Sequence, residues 1–409
     1  MASPTITMNF GIAHAKDYCR TYRNNIKAAL KRLRKSASGN VENNLSLMKA
    51  LSAKHQVYDV PKYVLPRVFR RKLLDQGAEI KIGRTSGTVK QELGRGAYGV
   101  VVLLNIEDDN NSGEKTFALK AQSSIESLAW EYEIIKKIED RIGPRWNADQ
   151  RRQKSSPFPY PKALAFVALA DGGLMSMTAA SQSGLNLVDV VNMYNTQLGE
   201  KVPELIAIHY TARMLHHLEK LHWHGKILHC DVKPDNWVLC SSDGIEAREL
   251  VLVDYGRAID LSDLATDGID AMDVKLSGDA MENDMMCVAM RNQRPWSFDV
   301  DTFGVCASAH VLLFGTHIEI ERGSDKKWMP RQHFRRYHQA SLWRAVFGTL
   351  LNHDEGTLIG SRPKSLRALR EKLEDYVSGH TKQLDDLLRK QARMLPTSRP
   401  QLNPTGGKR

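Results

Sequence analysis

His229-Cys230-Asp231-Val232-Lys233-Pro234-Asp235-Asn236 is the stretch from which the rest of the chain can be read. It sets a carboxylate, an ammonium and a carboxamide within six residues, in the pattern H-x-D-x-K-P-x-N. Such a trio is suited to orienting a hydroxyl nucleophile, neutralising a transferring phosphoryl group and ligating a hard cation. Eighteen residues beyond Asn236, after the apolar strand Leu250–Val253, comes Asp254-Tyr255-Gly256. An Asp-x-Gly turn after a strand is common by itself, and its place behind the first motif is what gives it weight.

Upstream, Gly94-Arg95-Gly96-Ala97-Tyr98-Gly99-Val100-Val101 reads G-x-G-x-x-G-x-V. Glycines let the backbone approach phosphates that side chains would block, and Val101 is placed to floor a base. Alone this is weak, because a dinucleotide fold uses similar glycines with a helix directly after them. Here a β-branched run, Gly99–Ile106, follows; Asp108–Gly113 is a turn cluster, and Thr116–Ala121 reads as a second, paired strand. On it, Ala118-Leu119-Lys120 carries a lysine that must snorkel or find an anion. Ser124–Arg141 has Leu128, Ile134, Ile135 and Ile138 at helical spacing and offers Glu131 as that anion, with Glu126 and Glu133 as competitors.

Leu174–Thr178 is a further short strand, and beyond Leu185 the pattern is mostly helical apart from a β-rich patch at Ile227–Asp254. A strand-rich part followed by a helix-rich part predicts an α+β fold of two lobes. No repeat of solenoid period is present. Lys27–Lys35 could form a short basic helix, but residues 1–59 are polar and basic enough to be read as a solvated, partly disordered arm.

The chain has 409 residues and a net charge of +11, divided into +13 for residues 1–90, −12 for 91–320 and +10 for 321–409. An acidic centre between basic ends argues against one continuous nucleic-acid-binding face and suits an enzyme body with basic appendages. The longest apolar stretch, Ala163–Ala170, is too short to span a bilayer, and the N-terminus lacks the apolar core of a secretory signal. Five cysteines (Cys19, Cys230, Cys240, Cys287, Cys306), odd in number and without a CxxC pair, point to a reducing compartment, nucleus or cytoplasm. His216, His217, His222 and His224 lack further ligands at zinc spacing and are assigned to a helix end and turn; His229 is expected to hold its loop without transferring a proton.

The four motifs, in this order, resemble the eukaryotic protein kinase superfamily in its serine/threonine form, which has a lysine two residues after the loop aspartate. Arg291-Asn292-Gln293-Arg294-Pro295-Trp296, Asp299–Val305, Leu312–Thr316, Phe334-Arg335-Arg336, Leu342-Trp343, Leu350–Asn352 and Leu185–Thr196 extend the resemblance to the Bub-type spindle-assembly-checkpoint kinases, over roughly residues 65–395. The resemblance implies a bilobal kinase fold with ATP and Mg²⁺ as cofactors. Asp231, Lys233, Lys120 and Glu131 would be catalytic. Leu93, Gly94, Gly96, Gly99, Val101, Ala118, Lys120, Thr178 and Ala180 would bind ATP, and Asn236 and Asp254 would hold the metal. Asp301 would anchor the catalytic loop from the large-lobe helix.

The implied domains are an arm (1–59), an extension packing on the small lobe (60–90), a kinase domain (91–395, small lobe to about 180) and a flexible tail (396–409). The implied partners are protein substrates with basic tails such as histones, and checkpoint or kinetochore proteins, with no membrane and no direct nucleic-acid contact. Nucleus and cytoplasm are expected, with the kinetochore as a possible site although the family's targeting repeats are not seen in residues 1–60. Ala289 stands where kinases carry the glutamate of the APE motif, which removes the usual tether of the activation segment. The rival reading is a pseudokinase scaffold; such proteins usually lose the loop Asp, the strand Lys or the metal Asp, and here Asp231, Lys120 and Asp254 are all present.

Overall fold

The computed structural model describes residues 15–37, 56–59, 64–65, 69, 76–82, 85–96, 99–107, 114–150, 157–242, 244–265, 270–277, 286–352 and 362–396. The first part of the chain forms α1 (Ala15–Ser36), β1 (Gln56–Asp59), β2 (Glu79–Ile82), β3 (Thr85–Arg95), β4 (Gly99–Glu107), β5 (Glu114–Gln122), α2 (Ile125–Gln150), β6 (Ala163–Ala168) and β7 (Gly173–Met177). Then come α3 (Leu187–Met193), α4 (Glu204–Lys220), β8 (Ile227–Leu228), β9 (Trp237–Ser242), β10 (Ile245–Leu252) and β11 (Ile259–Asp260). The chain continues through α5 (Val288–Arg291), α6 (Asp299–Phe314), β12 (Ile320–Arg322), β13 (Trp328–Pro330), α7 (Ala340–Leu351), α8 (Arg362–Ser378) and α9 (Thr381–Met394).

The small lobe is one seven-stranded sheet in the order β1-β6-β7-β5-β4-β3-β2. Its pairs are antiparallel except β1 against β6, where Gln56 faces Ala165 and Asp59 faces Ala168. Strand alternation divides β5 between two faces. Phe117, Leu119 and Ala121 join Val100, Val102, Leu104, Leu65 and Phe69 in an outer apolar layer. Ala118 and the Lys120 stem turn the other way, toward α2 and the large lobe.

The large lobe is built around α4 and α6, both buried along nearly their whole length. Such all-round burial replaces the one-sided stripe of a surface helix, and the polar side chains it takes inside, Glu219 and Asp301 among them, find partners there. The α+β, two-lobe fold is therefore observed.

Two local expectations change. The basic stretch read as a solvated arm lies in α1, whose Ala29, Leu30 and Leu33 are buried in the same core as α2. Ile26, Ala29, Leu30 and Leu33 follow helical spacing, so one narrow apolar stripe outweighs the many charges around it. Arg32 donates from Nε to Glu133 Oε1 of α2 at 3.0 Å, which fixes the crossing. The helix expected over 124–141 runs on to Gln150 and passes through Pro144.

Candidate active site

Register brings the first elements together. Across β4 and β5, Val101 pairs with Lys120 and Leu103 with Ala118, so the strand following the glycines lies beside the lysine. Lys120 Nζ donates to Glu131 Oε2 at 2.7 Å and to Asp254 Oδ1 at 3.0 Å. Burial would lower the Lys120 pKa, but the two carboxylates reverse this and raise it, so the side chain stays an ammonium. The same ammonium holds the Asp254 carboxyl below its ordinary range. Of the three competing glutamates, Glu131 makes the pair, while Glu133 is taken by Arg32.

The catalytic-loop stretch is organised from below and from the side. Asp301 of α6 accepts the backbone N–H of Cys230 at Oδ1 and of His229 at Oδ2, each at 2.8 Å, and its Oδ2 also meets His222 Nε2 at 2.8 Å. His229 Nε2 lies 3.0 Å from the Val253 carbonyl and must donate there, while Nδ1 accepts the Asp231 N–H at 3.2 Å. Those two bonds specify the neutral Nε2–H tautomer, and burial lowers the imidazole pKa in keeping with it. With both nitrogens occupied by backbone, His229 positions the loop and has no proton to trade.

Lys233 Nζ donates to Asp231 Oδ2 at 2.8 Å. Asn236 Nδ2 donates to the Asp231 carbonyl at 2.8 Å and to Asp231 Oδ2 at 3.2 Å, which orients the amide with its Oδ1 as the group left to meet a cation. Arg257 Nη1 is 3.9 Å from Asp231 Oδ1. Among the described residues no group of three or more His, Cys, Asp or Glu side chains forms a metal set. The hard oxygens of Asn236 and Asp254 fit Mg²⁺, which is commonly held by one or two protein ligands and completed by phosphate and water.

Around Ala289 the contacts are made by backbone. Leu276 and Trp296 exchange two N–H···O bonds of 2.8 Å, the Trp296 ring is fully buried, and the Ala289 carbonyl accepts from Arg294 at 2.9 Å. The second strand end of the cleft also differs in detail from the sequence reading. Met177, not singled out there, pairs with Ala118 at the end of β7, whereas the Thr178 hydroxyl accepts the Lys162 N–H at 2.9 Å. Leu239 of β9 is buried and bonded through its N–H to the Leu185 carbonyl at 2.8 Å. Leu93, Gly94 and Gly96 lie at the turn end of β3, Gly99 and Val101 on β4, and Ala180 just after β7; Ala97 and Tyr98 fall outside the described residues. A cavity of about 580 Å³ opens behind residues 178–183 toward Leu395 and is bordered by none of Lys120, Asp231, Asn236 or Asp254.

These strands, this loop and this lysine bridge define the protein kinase superfamily. Among curated proteins, the chain is 30% identical over 332 residues to the mitotic checkpoint serine/threonine-protein kinase BUB1 of Arabidopsis thaliana, covering 76% of this chain and 58% of that one. It is 24% identical over 316 residues to BUB1 of Mus musculus, covering 76% and 28%, and 26% identical over 332 residues to bub1 of Schizosaccharomyces pombe, covering 73% and 30%. Among solved structures, the BubR1 kinase domain matches with a TM-score of 0.64 at 23% identity, over 89% of this chain and 98% of that one. No family model matches the chain. In sequence the chain is similar to the Bub1 checkpoint kinases and in fold to the BubR1 kinase domain, consistent with a Bub-type protein kinase. It spans little more than half of the plant relative and under a third of the mouse and fission-yeast ones. Among the described residues no helix is long and apolar enough to cross a membrane.

Proposed function

We propose that the chain is an active, ATP–Mg-dependent protein serine/threonine kinase of the spindle-checkpoint type. The observation that carries this reading is the Lys120 bridge, which ties Glu131 of α2 to Asp254 while Asp231, Lys233 and Asn236 form a closed set beside it. On this reading Lys120 grips the α- and β-phosphates, Lys233 balances charge on the γ-phosphoryl group, and Asp231 orients the substrate hydroxyl. Asn236 and Asp254 hold Mg²⁺, which supplies charge neutralisation across the phosphates when bound. Leu93, the three glycines, Val101, Ala118, Thr178 and Ala180 enclose the nucleotide, with Met177, paired to Ala118, as a further member.

Protein substrates with basic tails, histones among them, and checkpoint or kinetochore partners in the nucleus belong to the same reading, as do the domain limits at 60, 91 and 395. A scaffold without catalysis would require a reason for keeping every charged member of the site in register. Purified wild type and Asp231→Ala, given labelled ATP–Mg and a histone mixture, decide between them. Loss of general acid–base assistance should cost about 10²–10⁴ in rate. Equal labelling by the two proteins would falsify the kinase reading.

A further inference from the structure

The position of α2 decides whether Glu131 reaches Lys120, and in this chain α2 is tied to the segment after Asp254 along one face. Trp130 Nε1 donates to the Ala258 carbonyl at 2.9 Å, and the indole is buried. Two turns on, Lys137 Nζ donates to Asp260 Oδ2 at 2.8 Å and to both Asp263 oxygens at 2.8 and 3.0 Å. One turn further, Arg141 grips Asp260 with two nitrogens, at 2.9 and 2.7 Å, and also donates to the Gly225 carbonyl at 2.6 Å. Positions 130, 137 and 141 share a helix face, so the contacts form a continuous row.

Asp260 is built to receive them. Its side chain has no exposure, it sits on β11 paired to β8, and its Oδ1 accepts the Ser262 N–H at 3.0 Å. Burial alone would raise the carboxyl's pKa, but the Arg141 and Lys137 hydrogen bonds outweigh it and keep the group ionised. A carboxylate between a lysine and a bidentate arginine occupies the place that a phosphate would fill where a helix is drawn in by modification.

We infer that Asp260 and Asp263, gripped by Lys137 and Arg141, are encoded substitutes for an activation-segment phosphate and hold α2 in its Lys120-pairing position. Cys230, standing before the catalytic aspartate, supplies no cation for a phosphate, and the segment Asp254–Met290 already has nine acidic residues against two basic ones. Lys137, Arg141, Asp260 and Asp263 are positioning residues. The inference rests on the kinase reading for its consequence in rate, but not for its structural content.

The test uses the full chain, phosphatase-treated, with two readouts: phosphotransfer kcat and KM for ATP, and backbone hydrogen exchange in α2 compared with α6. Dephosphorylated wild type should keep its kcat, and so should the chain with Ser262, Thr266 and Ser277 all changed to alanine. Lys137→Met should lower kcat by roughly ten- to a hundredfold through misplacement of Glu131, and should speed exchange in α2 while leaving α6 as it was. Lys137→Arg should restore both. Loss of kcat on dephosphorylation, or unchanged α2 exchange in Lys137→Met, overturns the inference. Should wild type transfer no phosphate at all, the kinase reading falls, and the exchange comparison still decides the latch.

Discussion

Gly304 of α6 lies so close beneath Val232 that a Cβ added there would stand 2.2 Å from the Val232 carbonyl oxygen. The loop at 229–236 therefore rests directly on helix backbone, three residues beyond the Asp301 carboxylate that accepts its N–H groups. Gly304→Ala should lift the loop. The expected cost is about 1–3 kcal/mol of stability, as for other overpacked sites, with a fall in kcat exceeding any change in KM for ATP. Denaturant unfolding and steady-state kinetics on the same preparation measure both, and an unchanged kcat would show that the contact is not transmitted to Asp231.

Acid should destabilise the fold through buried neutral histidines. His209 is buried, its Nε2 lies 2.8 Å from the Arg248 carbonyl, and burial lowers its pKa from 6.5 to about 4. The unfolded chain takes up the proton first, so stability is intact above pH 6.5 and declines as pH falls toward 4. A depression of that size corresponds to at most about 3 kcal/mol for this one residue. Thermal melts between neutral and mildly acid pH should show the decline, and His209→Gln should make it shallower. A slope identical to wild type would assign the effect to other groups such as His216, which burial lowers further.

Glu219 of α4 is buried and receives Arg367 at 2.8 and 2.6 Å and Arg370 at 3.0 Å from α8. Arg370→Ala removes the better-buried partner and leaves the carboxylate half satisfied, which should cost about 2 kcal/mol. Arg367→Ala, at a half-exposed position, should cost about 1 kcal/mol or less. Urea unfolding of the two variants checks the order, and a reversed order would contradict it.

Peptide substrates should be basic around the acceptor hydroxyl, since the activation segment is acidic. The structure tempers the expected strength of this effect, because Asp260 and Asp263 are already occupied by α2 cations. KM for a lysine-rich peptide should rise roughly threefold from low to physiological salt, while that for a neutral peptide stays level. A preference for acidic flanks on a peptide array would refute the idea.

What could be read in advance followed from spacing within short segments. The loop at 229–236, the glycine hairpin and the lysine strand each satisfy a local constraint, so their positions on strand, turn and loop were legible. Glu131 was the leading choice in the sequence, but Glu126 and Glu133 stayed open beside it, because the phase of α2 depends on which side faces the sheet. The packing of the buried side chains of α2, among them Leu128, Ile134 and Ile135, fixes that phase. The α1 stripe was present in the sequence but outvoted by composition. Pairing of β1 with β6 and the grip of Arg141 on Asp260 join residues more than a hundred positions apart, and no local pattern announces either.

The row of contacts from Trp130 to Arg141 also bears on how such an enzyme could be governed in a cell. A helix drawn in by carboxylates encoded in the chain offers a phosphatase nothing to remove at that point. On the proposed kinase reading, output would scale with the number of copies and with how long each remains beside its substrate, so synthesis, destruction and recruitment would be the natural controls. Quantitative proteomics through the cell cycle would then track activity more closely than phosphosite occupancy does.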